Sequence, residues 1–322
     1  MKRTSLTLAV ALLAATATIS FAHAEYPEKP IRMIVGFAAG GTTDILARDV
    51  AEELGKKLGQ TVIVENRPGV GGNIGNAFVA KAKPDGHTIL FASNSIAIAT
   101  SVYPNLGYDP LKDLEPVTLV ASVPNVMAIP ATLPVKTVSE YLDMARQTPN
   151  SVTYASAGNG SVAHLSGALL SSIAKVPLQH IPYKGNADAT TDLIAGRVHA
   201  NFNQINALIP LIEGEKLKAL AIVSKERSAL LPDVPTMSEQ GFPEFDLVPW
   251  FGVFAPEGTP KPIVDRLAKE IDGIVNSDYI SKRWASTGAT GMGGSPEDFG
   301  RLFRSDAERL GRLAQEAGAK VN

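Results

Sequence analysis

Short apolar runs alternate with turns and amphipathic stretches along most of the chain, and this alternation constrains the fold more than any other feature. Ile31-Arg32-Met33-Ile34-Val35 reads as a buried strand. A glycine-rich turn follows. Leu46, Val50, Leu54 and Leu58 then recur at i+4 spacing, which predicts a helix that Gly59 ends. Residues 61–64 read as a second strand, 72–82 as a helix, Pro84-Asp85-Gly86 as a turn and 88–91 as a third strand. Strand, helix, strand, helix, strand with short joins predicts a parallel, doubly wound sheet.

The middle of the chain repeats the pattern, with strands at 126–129, 152–154, 178–182, 198–202 and 217–223. Helices over 138–147, 162–174 and 187–195 fall between them. Proline-rich stretches at 116–130 and 232–249 are candidate crossings between two lobes. Two crossings return the last segment, with helices over 261–275 and 296–317, to the first lobe. The expected architecture is α/β: two lobes, each a mostly parallel sheet flanked by helices, joined by two crossover segments with a cleft between them. Residues 25–124 plus 250–322 form lobe 1 and residues 125–249 form lobe 2.

Lys2 and Arg3, the apolar run 6–21 and Ala22-His23-Ala24 predict a signal peptide over residues 1–24, cut before Glu25. No other stretch approaches a membrane span. The chain contains no cysteine, which removes disulfide frameworks, thiolate catalysis, cysteine-based metal sites and lipid attachment through cysteine. A formal charge of −2 argues against a nucleic-acid partner, because phosphate binding needs a concentrated basic face. An exported, unanchored monomer is expected.

Two loops carry the chemistry. Gly36 to Asp44 joins a strand to a helix and includes Phe37, Ala39, Gly40, Gly41, Thr42 and Asp44. Glycines allow close backbone approach, and free N–H groups at a helix start attract anions. The second loop repeats the arrangement with Ser156, Ala157, Gly158, Asn159 and Ser161, and His164 lies one turn into its helix. A well-capped turn and a packed histidine are the plainer readings of the same residues. If both loops face one cleft, two helix N-termini meet one small molecule from opposite sides, and a ligand with a carboxylate at each end suits them. Ser93, Asn94 and Ser95 add a polar rim, Tyr183 an aromatic wall, and Asn203 a weaker polar candidate.

Catalytic and cofactor signatures are missing. Ala38 stands at the second glycine of a dinucleotide fingerprint, and no phosphate loop, Gly-x-Ser-x-Gly elbow or His-Glu-x-x-His occurs. His87, His164, His180 and His199 have no metal-ligand spacing, so no metal and no cofactor are expected. A secreted serine hydrolase using Ser161 or Ser156 with His164 is the enzymatic alternative, since triad partners are distant in sequence.

Tyr26-Pro27-Glu28-Lys29-Pro30-Ile31-Arg32, Gly40-Gly41-x-x-Asp44 and Val64-Glu65-Asn66-Arg67-Pro68-Gly69-x-Gly71-Gly72-Asn73-Ile74-Gly75 form a distinctive series. Lys83-Pro84-Asp85-Gly86-His87-Thr88, Tyr183-Lys184-Gly185 and Ala255-Pro256-x-Gly258-Thr259-Pro260 continue it in order. The mature chain resembles the Bug family of periplasmic receptors, the solute-binding components of tripartite tricarboxylate transporters. That resemblance implies a two-lobed periplasmic binding protein fold that closes on a small di-, tri- or aromatic carboxylate. It implies no enzymatic step and delivery to membrane permease subunits, with a signalling protein as the alternative partner. In the family, main-chain N–H groups and waters from loops of both lobes hold the carboxyl groups, and those loops match 37–44 and 156–161 here. Family members commonly place prolines where this chain has Gly36 and Ala38.

Overall fold

The apolar runs assemble into two sheets in a computed structural model that describes residues 26–103, 105–245, 247–285 and 288–319. The expected signal peptide and its cleavage point lie outside the described residues. The first sheet takes β1 (Ile31–Val35), β2 (Val62–Asn66), β3 (Thr88–Ser93), β4 (Leu114–Ser122), β10 (Trp250–Pro256) and β11 (Thr290–Gly291). Their order is β11-β4-β10-β3-β1-β2. The second takes β5 (Asn125–Pro130), β6 (Thr153–Ser156), β7 (Gln179–Pro182), β8 (Ala200–Gln204) and β9 (Leu217–Val223), in the order β7-β6-β8-β5-β9.

Helices join and cover these strands. Around the first sheet lie α1 (Thr42–Leu58), α2 (Asn73–Ala80) and α3 (Ser95–Val102). The second sheet is accompanied by α4 (Val138–Gln147), α5 (Val162–Ala174), α6 (Asn186–Ile194) and α7 (Ile205–Glu213). The chain ends in α8 (Lys261–Val275), α9 (Asp278–Ala285) and α10 (Pro296–Glu316). Helix α1 buries Leu46, Val50 and Leu54, the stripe its i+4 spacing requires, with Asp44 in its first turn and Lys56 and Lys57 in its last. Strand β1 buries Ile31, Met33, Ile34 and Val35 together, the run-on burial of a strand covered on both faces.

Both sheets are mixed, which corrects the expectation of mostly parallel ones. β1 pairs in parallel with β2 and β3, and β6 with β7 and β8, because helices carry the chain back between those strands. β10 instead runs antiparallel to both β3 and β4, and β5 antiparallel to both β8 and β9. These are the strands at the crossings, where no βαβ helix sets direction. β4 leads to β5 through Val123 and Pro124, and Val123 N–H donates to Pro249 O at 3.2 Å, so the two crossings lie side by side. Trp250 and Phe251, just past the return crossing, open a central strand of the first sheet.

Helix α10 ties the lobes together. Phe299 and Phe303 near its start pack on Trp250 and Phe254, with ring centres 4.9 to 6.3 Å apart. Farther along, Leu310 and Ala314 join the core that contains Leu165 and Leu169 of α5. Trp250 Nε1 donates to the buried carboxylate of Asp306 at 2.7 Å, which fixes α10 against β10.

Candidate ligand-binding cleft

Strands of both sheets end where helices begin, and these junctions converge on one cavity of about 50 Å³. On one side it is lined by Phe37, Ala38, Ala39, Gly41, Thr42 and Thr43, with Ser93, Asn94 and Ser95 beside them. The other side brings Ala157, Ser161, Val162 and Ala163, then Gly185, Asn186 and Ala187, with Phe202 and Gln204. Asn125 and Pro249, at the two crossings, complete the lining. The volume admits a few waters or one small molecule. An outer chamber of about 290 Å³ shares Phe37 and Ala157 with it and adds Val70, Tyr103, Gly158, Asn159 and Tyr183. The two are inner and outer parts of one cleft. A larger hollow of about 710 Å³ near Tyr26, Asp85 and Pro260 is walled by the first lobe alone.

The electrostatics of the inner chamber come from the backbone. Gly41, Asn94, Ser161, Gly185 and Gln204, the N-cap residues of α1, α3, α5, α6 and α7, all line it. Each helix start carries partial positive charge and N–H groups with no helical partner. Among the described residues, no Asp, Glu, Lys, Arg or His lines this chamber. Such a site attracts an anion without an opposing side-chain cation.

Contacts span the cleft, which is closed. Thr42 Oγ1 donates to Asn206 Oδ1 at 3.0 Å, and the Tyr103 hydroxyl donates to Asn159 O. Behind the first loop, Asp44 accepts from Gly40 N–H at 2.9 Å, from Arg48 and from Asn66 Nδ2 at 2.8 Å. Burial works to raise the Asp44 pKa, yet these donors outweigh it and hold the group below the ordinary carboxylate value. Asn66 also donates to Phe37 O at 3.0 Å, so the Glu-Asn-Arg-Pro-Gly stretch braces the loop. Arg67 pairs with Glu65 and stacks over Phe78, 3.7 Å from the ring centre, and does not line the inner chamber. Gly36 packs on backbone: a Cβ there would stand 2.5 Å from Gly72 O.

The second loop rests on two imidazoles. His164 Nδ1 accepts from Gly160 N–H at 3.1 Å, and His180 Nε2 lies 2.6 Å from Ser156 Oγ. The rings stack 4.0 Å apart, with Tyr154 5.0 Å beyond His180. Ser161 Oγ caps α5 by accepting from His164 N–H at 3.2 Å. Replacing Ser161 with alanine is expected to cost ~1 kcal/mol in a urea melt. A loss near zero would show that water replaces the cap.

Residues 46–319 match the family model described as the tripartite tricarboxylate transporter family receptor. The chain belongs to this receptor family. Solved structures agree along nearly its whole length. The R. palustris protein Rpa4515 with adipate is 36% identical, covering 92% of this chain and 100% of its own, with a TM-score of 0.88. The periplasmic binding protein BugD is 37% identical with the same coverage and a TM-score of 0.87. MatC from Rhodopseudomonas palustris with bound malate is 33% identical, covering 89% and 99%, with a TM-score of 0.86. These are receptors and not enzymes, which removes the hydrolase alternative. For the pairs that alternative named, the geometry agrees: the Ser161 hydroxyl caps a helix through the His164 main chain and not through its ring, and Ser156 Oγ meets the ring of His180 in place of His164.

The receptor brings nine of the expected residues to the inner chamber: Phe37, Ala39, Gly41, Thr42, Ser93, Asn94, Ser95, Ala157 and Ser161. Gly158, Asn159 and Tyr183 line the outer part, and the Tyr183 hydroxyl donates to Asp192 at 2.7 Å. Gly40, Asp44, Ser156 and His164 line neither chamber and support the two loops from behind. Asn203 turns away: its Nδ2 donates to Thr190 Oγ1 at 3.3 Å and its Oδ1 accepts from Gln204 N–H. Asn125, Gly185, Asn186, Phe202, Gln204 and Pro249 were missed. Gly185-Asn186 stands between a strand and a helix, the same signal that marked the other two loops. Asn125, Phe202 and Pro249 carry no such local mark.

Proposed function

We propose that this chain is an exported receptor of the periplasm that captures one small carboxylate and delivers it to the membrane subunits of a tripartite transporter. The observation that carries this reading is the convergence of five helix N-caps on a chamber that no charged side chain among the described residues lines. Adipate and malate in the two related structures support a dicarboxylate, and the family description extends the class to tricarboxylates; an aromatic acid of similar size completes the range to be tested. Residues 25–124 with 250–322 act as one lobe and residues 125–249 as the other. They close about the crossings at Val123-Pro124 and Pro249, and loops 37–44 and 156–161 meet the carboxyl groups. Export follows cleavage before Glu25, and the mature receptor works as a monomer.

A thermal-shift panel tests the ligand class. Succinate, adipate, citrate and benzoate are compared with sugars and cationic amines. Binding to the folded state alone adds about 4 kcal/mol at a thousandfold excess over Kd, a rise of several degrees in Tm. At least one carboxylate is expected to give that rise. Stabilisation by a sugar or an amine, with none by any carboxylate, would overturn the reading.

A further inference from the structure

Two side chains of the inner chamber are buried with an oxygen left over. Asn94 and Asn125 are each 1% exposed, both line the chamber, and Oδ1 of each has no hydrogen-bond partner among the described residues. The backbone fixes the Asn94 amide: its Nδ2 donates to Val248 O at 3.4 Å, and reversing it would set two oxygens against each other. Asn94 N–H donates to Trp250 O at 3.0 Å, so the residue is held at the return crossing. Asn125 begins β5 just past the other crossing. The two oxygens therefore belong to the end of the cleft beside the crossings, Asn94 just past β3 and Asn125 at the start of β5. Asn186 adds a third unpartnered Oδ1, with its Nδ2 donating to Gln204 Oε1 at 3.0 Å.

A buried acceptor without a donor carries its full desolvation cost. A carboxylate cannot relieve it, because an ionised carboxyl group only accepts. The helix N-caps meet the carboxyl groups; the asparagine oxygens require N–H or O–H. Resting on the carboxylate reading above, we infer that the receptor selects acids whose carbon chain carries a hydroxyl or ammonium group, donated to Asn94 Oδ1 and Asn125 Oδ1. This makes the two asparagines specificity-determining residues for the substituent between the carboxyl groups.

Calorimetric titration of the mature receptor with acids matched in length tests the inference. Malate and aspartate are compared with succinate, and 2-hydroxyglutarate and glutamate with glutarate. The donor-bearing acid is expected to bind about tenfold to a hundredfold tighter in at least one set, and which arm gains separates hydroxyl from ammonium. Succinate and glutarate binding as tightly as their substituted partners would overturn the inference and leave the carboxylate reading standing. Binding of adipate, citrate or benzoate but of none of the six acids would overturn the inference alone; binding of no carboxylate at all would overturn both. In an Asn125→Leu variant with native circular dichroism, the ratio between substituted and plain acid is expected to fall toward one. An unchanged ratio would overturn the assignment of Asn125.

Discussion

Replacing Gly71 with valine is expected to weaken ligand capture at least a hundredfold while costing the ligand-free receptor only a few degrees of Tm. Gly71 has φ of 61°, and a Cβ there would lie 2.3 Å from Asn159 O and 3.0 Å from the Tyr103 hydroxyl. Asn159 belongs to the loop between β6 and α5, across the cleft from Gly71. The collision with a backbone oxygen therefore exists only when the lobes are together. The left-handed φ costs a β-branched residue ~1–3 kcal/mol whether the lobes are open or closed. Closure bears the clash in addition, and a penalty on the closed state alone lowers affinity by the same factor. Equilibrium dialysis with the acid that gives the largest thermal shift measures it. Unchanged affinity would mean that the liganded receptor holds loops 69–72 and 158–160 apart.

The second large effect is on pH. His164 and His180 stack behind the cleft loop, and burial depresses both: His164 to about 4 and His180 to about 3, the latter also pushed down by its neighbour. Their ordinary value is 6.5. Between pH 4 and 6.5 the unfolded chain takes up protons that the native rings refuse, so unfolding becomes easier as pH falls. The stability is fully present above pH 6.5 and is lost as pH drops toward the native values. His164 alone accounts for ~3 kcal/mol across that window. Asp44 and Glu65, whose native values are depressed, act lower down: their contribution is present above 3.8 and 4.5 and is lost below. Urea melts from pH 4 to 7.5 are expected to show the decline. Asn in place of His164 keeps an acceptor near Gly160 N–H and should flatten the slope. Parallel slopes in the two proteins would exclude the histidine stack as its cause.

Local signals account for what the sequence made legible. The strand–turn–helix junctions at 36–44, 93–95 and 156–161 each advertise glycines and capping residues over a few positions, and all three reach the inner chamber. The plainer reading of His164, as a packed residue, matches its stacking on His180. Non-local features escaped. β10 reads as a short apolar run beside prolines, and only its pairing with both β3 and β4 makes it central. Asn125 and Pro249 reach the cleft because two distant crossings lie side by side. Phe202 and Gln204 face it because the alternation along β8 puts them on one side and Asn203 on the other. A single-residue step along a strand thus decides which side chain reaches the cleft, and polarity alone does not mark it.

Closure on a carboxylate is the centre of the account, and small-angle X-ray scattering measures it directly. The mature receptor is titrated with the acid that gives the largest thermal shift. The radius of gyration is expected to contract in step with occupancy and to level off at one equivalent, while Gly71→Val binds weakly and stays expanded. Saturation of the site with no contraction in the unsubstituted receptor would contradict capture by lobe closure.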